Sequence, residues 1–219
     1  METLPKGRLS AAFWLVLAIG LVGYHLALIF SGLVPNLVSR PLHMAFILPF
    51  ILVLGAKTRA SRGSGLVLAA AGVAAALWIA VNNDRLSDQY GFLEGRFQLV
   101  IAIVLLGVTL EAARRAIGWP LPLVAGSALL YGLFGQYIPG QFGHSGTPIS
   151  SFLGTLTIAE GGLWGALTGV SVGVVSIFVI FGAVLNAGEA GQGFMHGFAG
   201  IVLFAVALTL TYGVDRLLA

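Results

Sequence analysis

The chain has 219 residues, of which 58% are hydrophobic and 9% charged, with a formal net charge of +3 and no cysteine. A soluble domain carries roughly a quarter charged residues, so this composition excludes an ordinary soluble enzyme and makes lipid the expected solvent. The missing cysteines exclude disulfides, thiol nucleophiles and cysteine-held metals. The small basic excess lies in short loops beside apolar runs, which excludes a nucleic-acid surface.

A helix needs about 20 mostly apolar residues to cross the hydrocarbon core. The first such run covers residues 11–34, behind Lys6 and Arg8. No small-residue cleavage site follows it, so it reads as a retained helix and not a signal peptide. Pro35, Asn36 and the pair Arg40-Pro41 break the pattern, because proline disfavours helix just before it. A short second span, residues 42–56, contains Pro49, which admits a kink or an earlier start. The basic loop of Lys57, Arg59 and Arg62 leads to a third span at 66–81. Residues 82–96 are the most polar stretch, with Asp84, Arg85, Asp88, Glu94 and Arg96.

The fourth span, 97–113, closes on Arg114 and Arg115, and Gly118-Trp119-Pro120 turns into a fifth at 121–138. A glycine-rich loop fills 139–148. Residues 149–160 are too short to span and read as an interfacial helix. The sixth span is 163–185, followed by a polar turn at 186–193 and a short apolar run at 198–212 that ends on Asp215 and Arg216. The fold class is therefore an all-α integral membrane protein of about six to seven transmembrane helices plus an interfacial helix. Basic loop residues set orientation. An inside N-terminus puts Lys6, Arg8, Lys57, Arg59, Arg62, Arg114 and Arg115 in the cytoplasm, and leaves Arg40, Arg85 and Arg96 outside.

Few residues offer chemistry. Glu111 precedes Arg114 and Arg115 by three and four positions, so it pairs with both on one helix face. The trio reads as a cytoplasmic anchor or as a polar contact with a partner helix. Gly161, Gly165, Gly169 and Gly173 recur at every fourth residue. On a helix they form a strip that lets another backbone approach, and glycine at this density also tolerates a broken or tilted helix. Glu160 lies just before that strip. Inside hydrocarbon it is a functional candidate; at the interface it is solvated, with Thr155 or Thr157 in reach. His25, His43, His144 and His196 lack metal-site spacing or acidic company, and read as hydrogen-bonded helix contacts. No catalytic constellation, metal site or cofactor site is expected.

The order of motifs resembles the fused membrane component of TRAP transporters, in particular the TAXI type. The resemblance rests on RPLHMAFILPFILVLG at 40–55, LLGVTLEAARRAIGWPLPLVAGSALLYGLFGQYIPG at 105–140, HSG at 144–146 and EGGLWGALTGVSVGVVSIFVIFGAVLNAGEAGQGF at 160–194. It implies secondary active uptake of organic acids across the bacterial inner membrane, usually with sodium, with a periplasmic binding protein delivering substrate. Residues 1–96 then correspond to a Q-like scaffold and 97–219 to the start of the large M-like permease domain. The family's serine- and glycine-rich transport hairpins have no counterpart after Phe194. The expected role is thus a non-catalytic scaffold and docking subunit, with the coupling ion held by a larger permease partner. The rival expectation is a structural accessory subunit of an unrelated membrane complex.

Overall fold

The structure, a computed structural model, describes residues 8–32 and 34–189, with scattered positions from 191 to 203. The expected last span at 198–212 and its polar end lie largely outside the described residues. Those described contain helices and no strand. Five helical stretches are long and apolar enough to cross a membrane by length and composition: 10–31, 36–54, 59–81, 95–117 and 149–187. The protein is a helical membrane protein.

Helix α1 spans Arg8–Ser31 and α2 spans Asn36–Pro49. Pro35 ends the first linker, and α2 begins six residues before the expected second span, carrying Arg40 and Pro41 inside it. Pro49 lacks the N–H that would meet the Ala45 carbonyl, and the helix continues beyond it as a π turn at Phe50–Leu54, where the Gly55 N–H reaches back to the Phe50 carbonyl at 3.0 Å. Helix α3, Arg59–Val81, is capped by Thr58, whose hydroxyl accepts from the Ser61 N–H at 3.1 Å. A short α4, Asn83–Asp88, leads to α5, Gly95–Ile117. Gly118, at φ 100°, stops α5, and Pro120 opens α6, Pro120–Phe134. Helix α7 covers Ile149–Thr157, close to the expected interfacial segment.

The expected sixth span is helical from Ala166 to Ala187, running through a π turn, and only its first residues break the helix. A 3-10 turn at Gly162–Trp164 and an extended Gly165 precede α8, Ala166–Val170, and a π turn at Ser171–Val175. Glycine backbone carries little cost in leaving helical geometry, which is why the break falls at 161–165.

The described residues up to Val174 form one compact unit, and those from Val175 onward a second. The first unit is built on α2, α3 and α5, whose facing side chains include Leu37, Ala76, Ile79 and Leu105, and the fully buried Trp164 of the 3-10 turn packs with them. In lipid the transfer of apolar surface gives these helices little drive to associate, so close packing and polar contacts hold them. Gly65 and Gly72 supply the closeness. A Cβ on Gly65 would run into the Leu52 carbonyl oxygen, and one on Gly72 would stand 2.7 Å from Leu48 and 2.8 Å from Val108. Helix α6 buries none of its residues, and most apolar side chains of α1 are exposed, as lipid-facing surfaces require. The second unit holds α9, Ser176–Ala187, which likewise buries none of its side chains.

Candidate functional site

Helix α1 turns one polar ring inward. His25 is 2% exposed, in a helix otherwise largely open, and it meets His43 of α2, itself 6% exposed. His25 Nδ1 lies 2.7 Å from the Leu21 carbonyl one turn back. His25 Nε2 lies 2.8 Å from His43 Nδ1, and His43 Nε2 lies 3.1 Å from Ser171 Oγ, in the π turn. A carbonyl only accepts, so His25 Nδ1 is the donor. In the neutral pair the direction then follows: Ser171 donates to His43, His43 to His25, and His25 to Leu21. Each ring nitrogen has a partner, which is what a buried imidazole inside an apolar bundle requires. Tyr24 supports the arrangement, its ring edge-on to His25 and its hydroxyl donating to the Ser39 carbonyl at 2.7 Å.

One turn before His43, the half-buried Arg40 donates to the Trp164 carbonyl. Trp164 is completely buried, and its indole N–H donates to the Thr157 carbonyl at 2.6 Å. The broken segment 162–175 is therefore fastened to α2 twice, by Arg40 at Trp164 and by His43 at Ser171.

At the far end of the unit, Glu111 pairs with Arg114 and Arg115, each at 2.7 Å. Arg115 goes further. Its Nη1 donates to the carbonyls of Leu52 at 2.9 Å and Ser61 at 2.8 Å, and its Nη2 to Ser64 Oγ at 3.0 Å. Arg114 stays outside, over the Trp119 ring. The trio thus ties α5 to the end of α2 and the start of α3 within the chain. The same contacts bring the basic loop of Lys57, Arg59 and Arg62 to the end of the unit that carries Arg114 and Arg115.

Other expected contacts change partners. Glu160 accepts from Asn36 Nδ2 at 3.0 Å and not from Thr155 or Thr157; the Thr157 hydroxyl donates instead to Leu153 at 2.7 Å. The four glycines do not form one helical strip, because only Gly169 and Gly173 lie in helical backbone. Gly161 and Gly165 have extended backbone. Gly169 lies against the Arg40 guanidinium, where a Cβ would sit 2.9 Å from Nη2, and Gly173 has nothing within 4 Å. His144 bridges two carbonyls in the loop after α6: Nδ1 at 2.8 Å from Ser145 and Nε2 at 3.0 Å from Tyr131. Both hold its protonated form, so its pKa is raised.

Sequence reasoning noticed His25 and His43 singly and missed the pair. Two histidines 18 positions apart on different helices have no register until the helices are docked. Their presence inside apolar runs was the available signal. Among the described residues, no three histidine, aspartate or glutamate side chains come together as a metal site would need. The arrangement supplies polar fastening between helices inside an apolar bundle. No family model, curated protein or solved structure matches the chain.

Proposed function

We propose that the chain is the small scaffold and docking subunit of a TRAP-type secondary transporter in the bacterial inner membrane. In this reading it imports organic acids together with a large permease subunit and a periplasmic binding protein. The coupling ion, sodium, sits on the large partner. The N-terminus is cytoplasmic, with six to seven spans.

The observation that carries the scaffold role is the use of the buried and half-buried polar groups of the helices. His25, His43 and Ser171 bond to one another, Arg40 to Trp164, and Arg115 to Leu52 and Ser61. Each contact locks one helix to another segment of the same chain. The TRAP assignment rests on the ordered motifs at 40–55, 105–140, 144–146 and 160–194. The inside orientation is supported by Lys57, Arg59, Arg62, Arg114 and Arg115 lying toward one end of the first unit.

The test is a flux assay in liposomes with an imposed sodium gradient and a panel of radiolabelled organic acids. The chain alone is expected to give no uptake, and uptake is expected once the large permease and the binding protein are added. Saturable, gradient-dependent accumulation by the chain alone overturns the scaffold reading. Copurification with an unrelated complex in mild detergent makes it an accessory subunit instead.

A further inference from the structure

The guanidinium of Arg40 is half-buried, and none of the ion pairs among the described residues includes it. It has five N–H donors, and its bond to the Trp164 carbonyl engages one nitrogen. The group faces a cavity of about 190 Å3 lined by Leu28, Val34, Asn36, Ser39, Gly169 and Val172, among others. That is well above the ~10–15 Å3 that admits a water. Among the described residues no carboxylate forms an ion pair with it. Ser39 Oγ donates to the Pro35 carbonyl at 3.1 Å, and the Asn36 amide donates to Glu160, whose carboxylate does not line the cavity. Gly169 leaves the space that the guanidinium occupies: a Cβ there would lie 3.1 Å from Cζ and 3.2 Å from Nε.

We propose that this cleft binds a phosphate-type oxyanion on the Arg40 guanidinium. A planar fork of donors suits a tetrahedral oxyanion better than it suits water, and charge-assisted bonds are about twice as strong as neutral ones. An unpaired charge at the margin of a hydrocarbon layer is costly, and an anion removes that cost. The anion comes either from a phospholipid headgroup or from free phosphate in the adjoining water. Depth favours the lipid. Arg40 lies four residues into α2, ~6 Å along the axis at ~1.5 Å per residue. That distance matches an interfacial zone of roughly 5–8 Å on each side of the hydrocarbon core. The inference depends on the membrane character of the chain and not on the transporter reading.

The full chain in detergent is assayed by native mass spectrometry with phosphatidylglycerol, and with diacylglycerol of the same acyl chains. Thermal shift is recorded with inorganic phosphate alone. One phosphatidylglycerol retained per chain, with no diacylglycerol, is expected, and retention falls at least about tenfold in Arg40→Gln, the scale of a lost charge-assisted bond. Arg40→Lys keeps part of the binding. Retention that survives excess inorganic phosphate makes the source a lipid; an Arg40-dependent thermal shift with phosphate alone makes it a free anion. Equal retention of the two lipids overturns the proposal if phosphate also gives no shift. Unchanged binding in a folded Arg40→Gln chain overturns it too. If that variant does not fold, the wild-type chain decides. Phosphate-selective binding that weakens at ~1 M salt, where charges are screened beyond about 3 Å, supports the site, and indifference to salt overturns it.

Discussion

The guanidinium of Arg115 stands 2.9 Å from the carbonyl oxygen of Leu52, joining the end of α5 to the π turn that ends α2. The Leu52 carbonyl lies in the last helical turn before Gly55, where carbonyls run out of N–H partners along the chain and need a donor from elsewhere. Arg115 supplies it, from 63 positions away.

Arg115→Ala is therefore expected to destabilise the protein by about 2–3 kcal/mol, the range for bonds to charged groups and for orphaned buried partners. Arg114→Ala removes a more exposed pair and is expected to cost much less. Thermal unfolding in detergent of the two variants makes the comparison. Equal losses would mean that the ion pair with Glu111, which both arginines share, carries the effect, and not the reach of Arg115 to α2 and α3.

His43→Leu leaves His25 Nε2 without its donor and removes the bond to Ser171. We expect a loss of about 1–2 kcal/mol, because membrane hydrogen bonds are individually modest. The double variant His25→Leu with His43→Leu should lose less than the sum of the two single changes, since no orphaned imidazole remains. Unfolding titrations of the four proteins give the coupling. Strict additivity would show that the two rings do not depend on each other.

Gly65→Ala forces a Cβ into the Leu52 carbonyl and within 2.8 Å of Arg115 Nη1. Neither atom is the loose end of a free side chain, so α3 must move away from α2. Reduced yield and a lower unfolding temperature are expected. Gly107→Ala is the control, because a Cβ there meets nothing within 4 Å. Comparable behaviour of the two variants would remove the close-approach argument.

His144 gives a pH dependence. Its two carbonyl partners are satisfied together only when both ring nitrogens carry hydrogen, so the folded pKa is raised above the ordinary value of about 6.5. A raised pKa contributes stability in full below the unfolded value, and that contribution is lost as pH rises through the folded value. Hydrogen exchange across residues 138–148 should therefore quicken as pH rises through that window, beyond the intrinsic rate, and His144→Gln should flatten the change. Matching pH profiles in both proteins would count against the bridge.

Much of the helical layout was legible in the sequence because hydropathy reports it directly. The third and fourth spans fall close to α3 and α5, and the fifth overlaps α6, which at 15 residues is not among the five stretches long enough to cross. Glu111 with Arg114 and Arg115 was readable too, since its geometry is local to one helix. The partners of Arg115 on α2 and α3 were not, because they depend on how three helices dock. The glycine run misled for a different reason. A four-residue repeat looks the same on a helix and on a segment that abandons helix, and only the backbone distinguishes Gly169, packed on Arg40, from Gly165, which is extended. His25 and His43 were visible only as two isolated polar residues.

The one-way order of the histidine chain bears on what the bundle can let through. A conducting proton wire needs every member to release a hydrogen on one side after taking one on the other. The chain from Ser171 through His43 and His25 ends on the Leu21 carbonyl, a fixed backbone acceptor that cannot turn or hand a hydrogen onward. The polar thread is blind at that end. The bundle thus holds two imidazoles among apolar helices with their hydrogen-bond chain closed off at the Leu21 carbonyl.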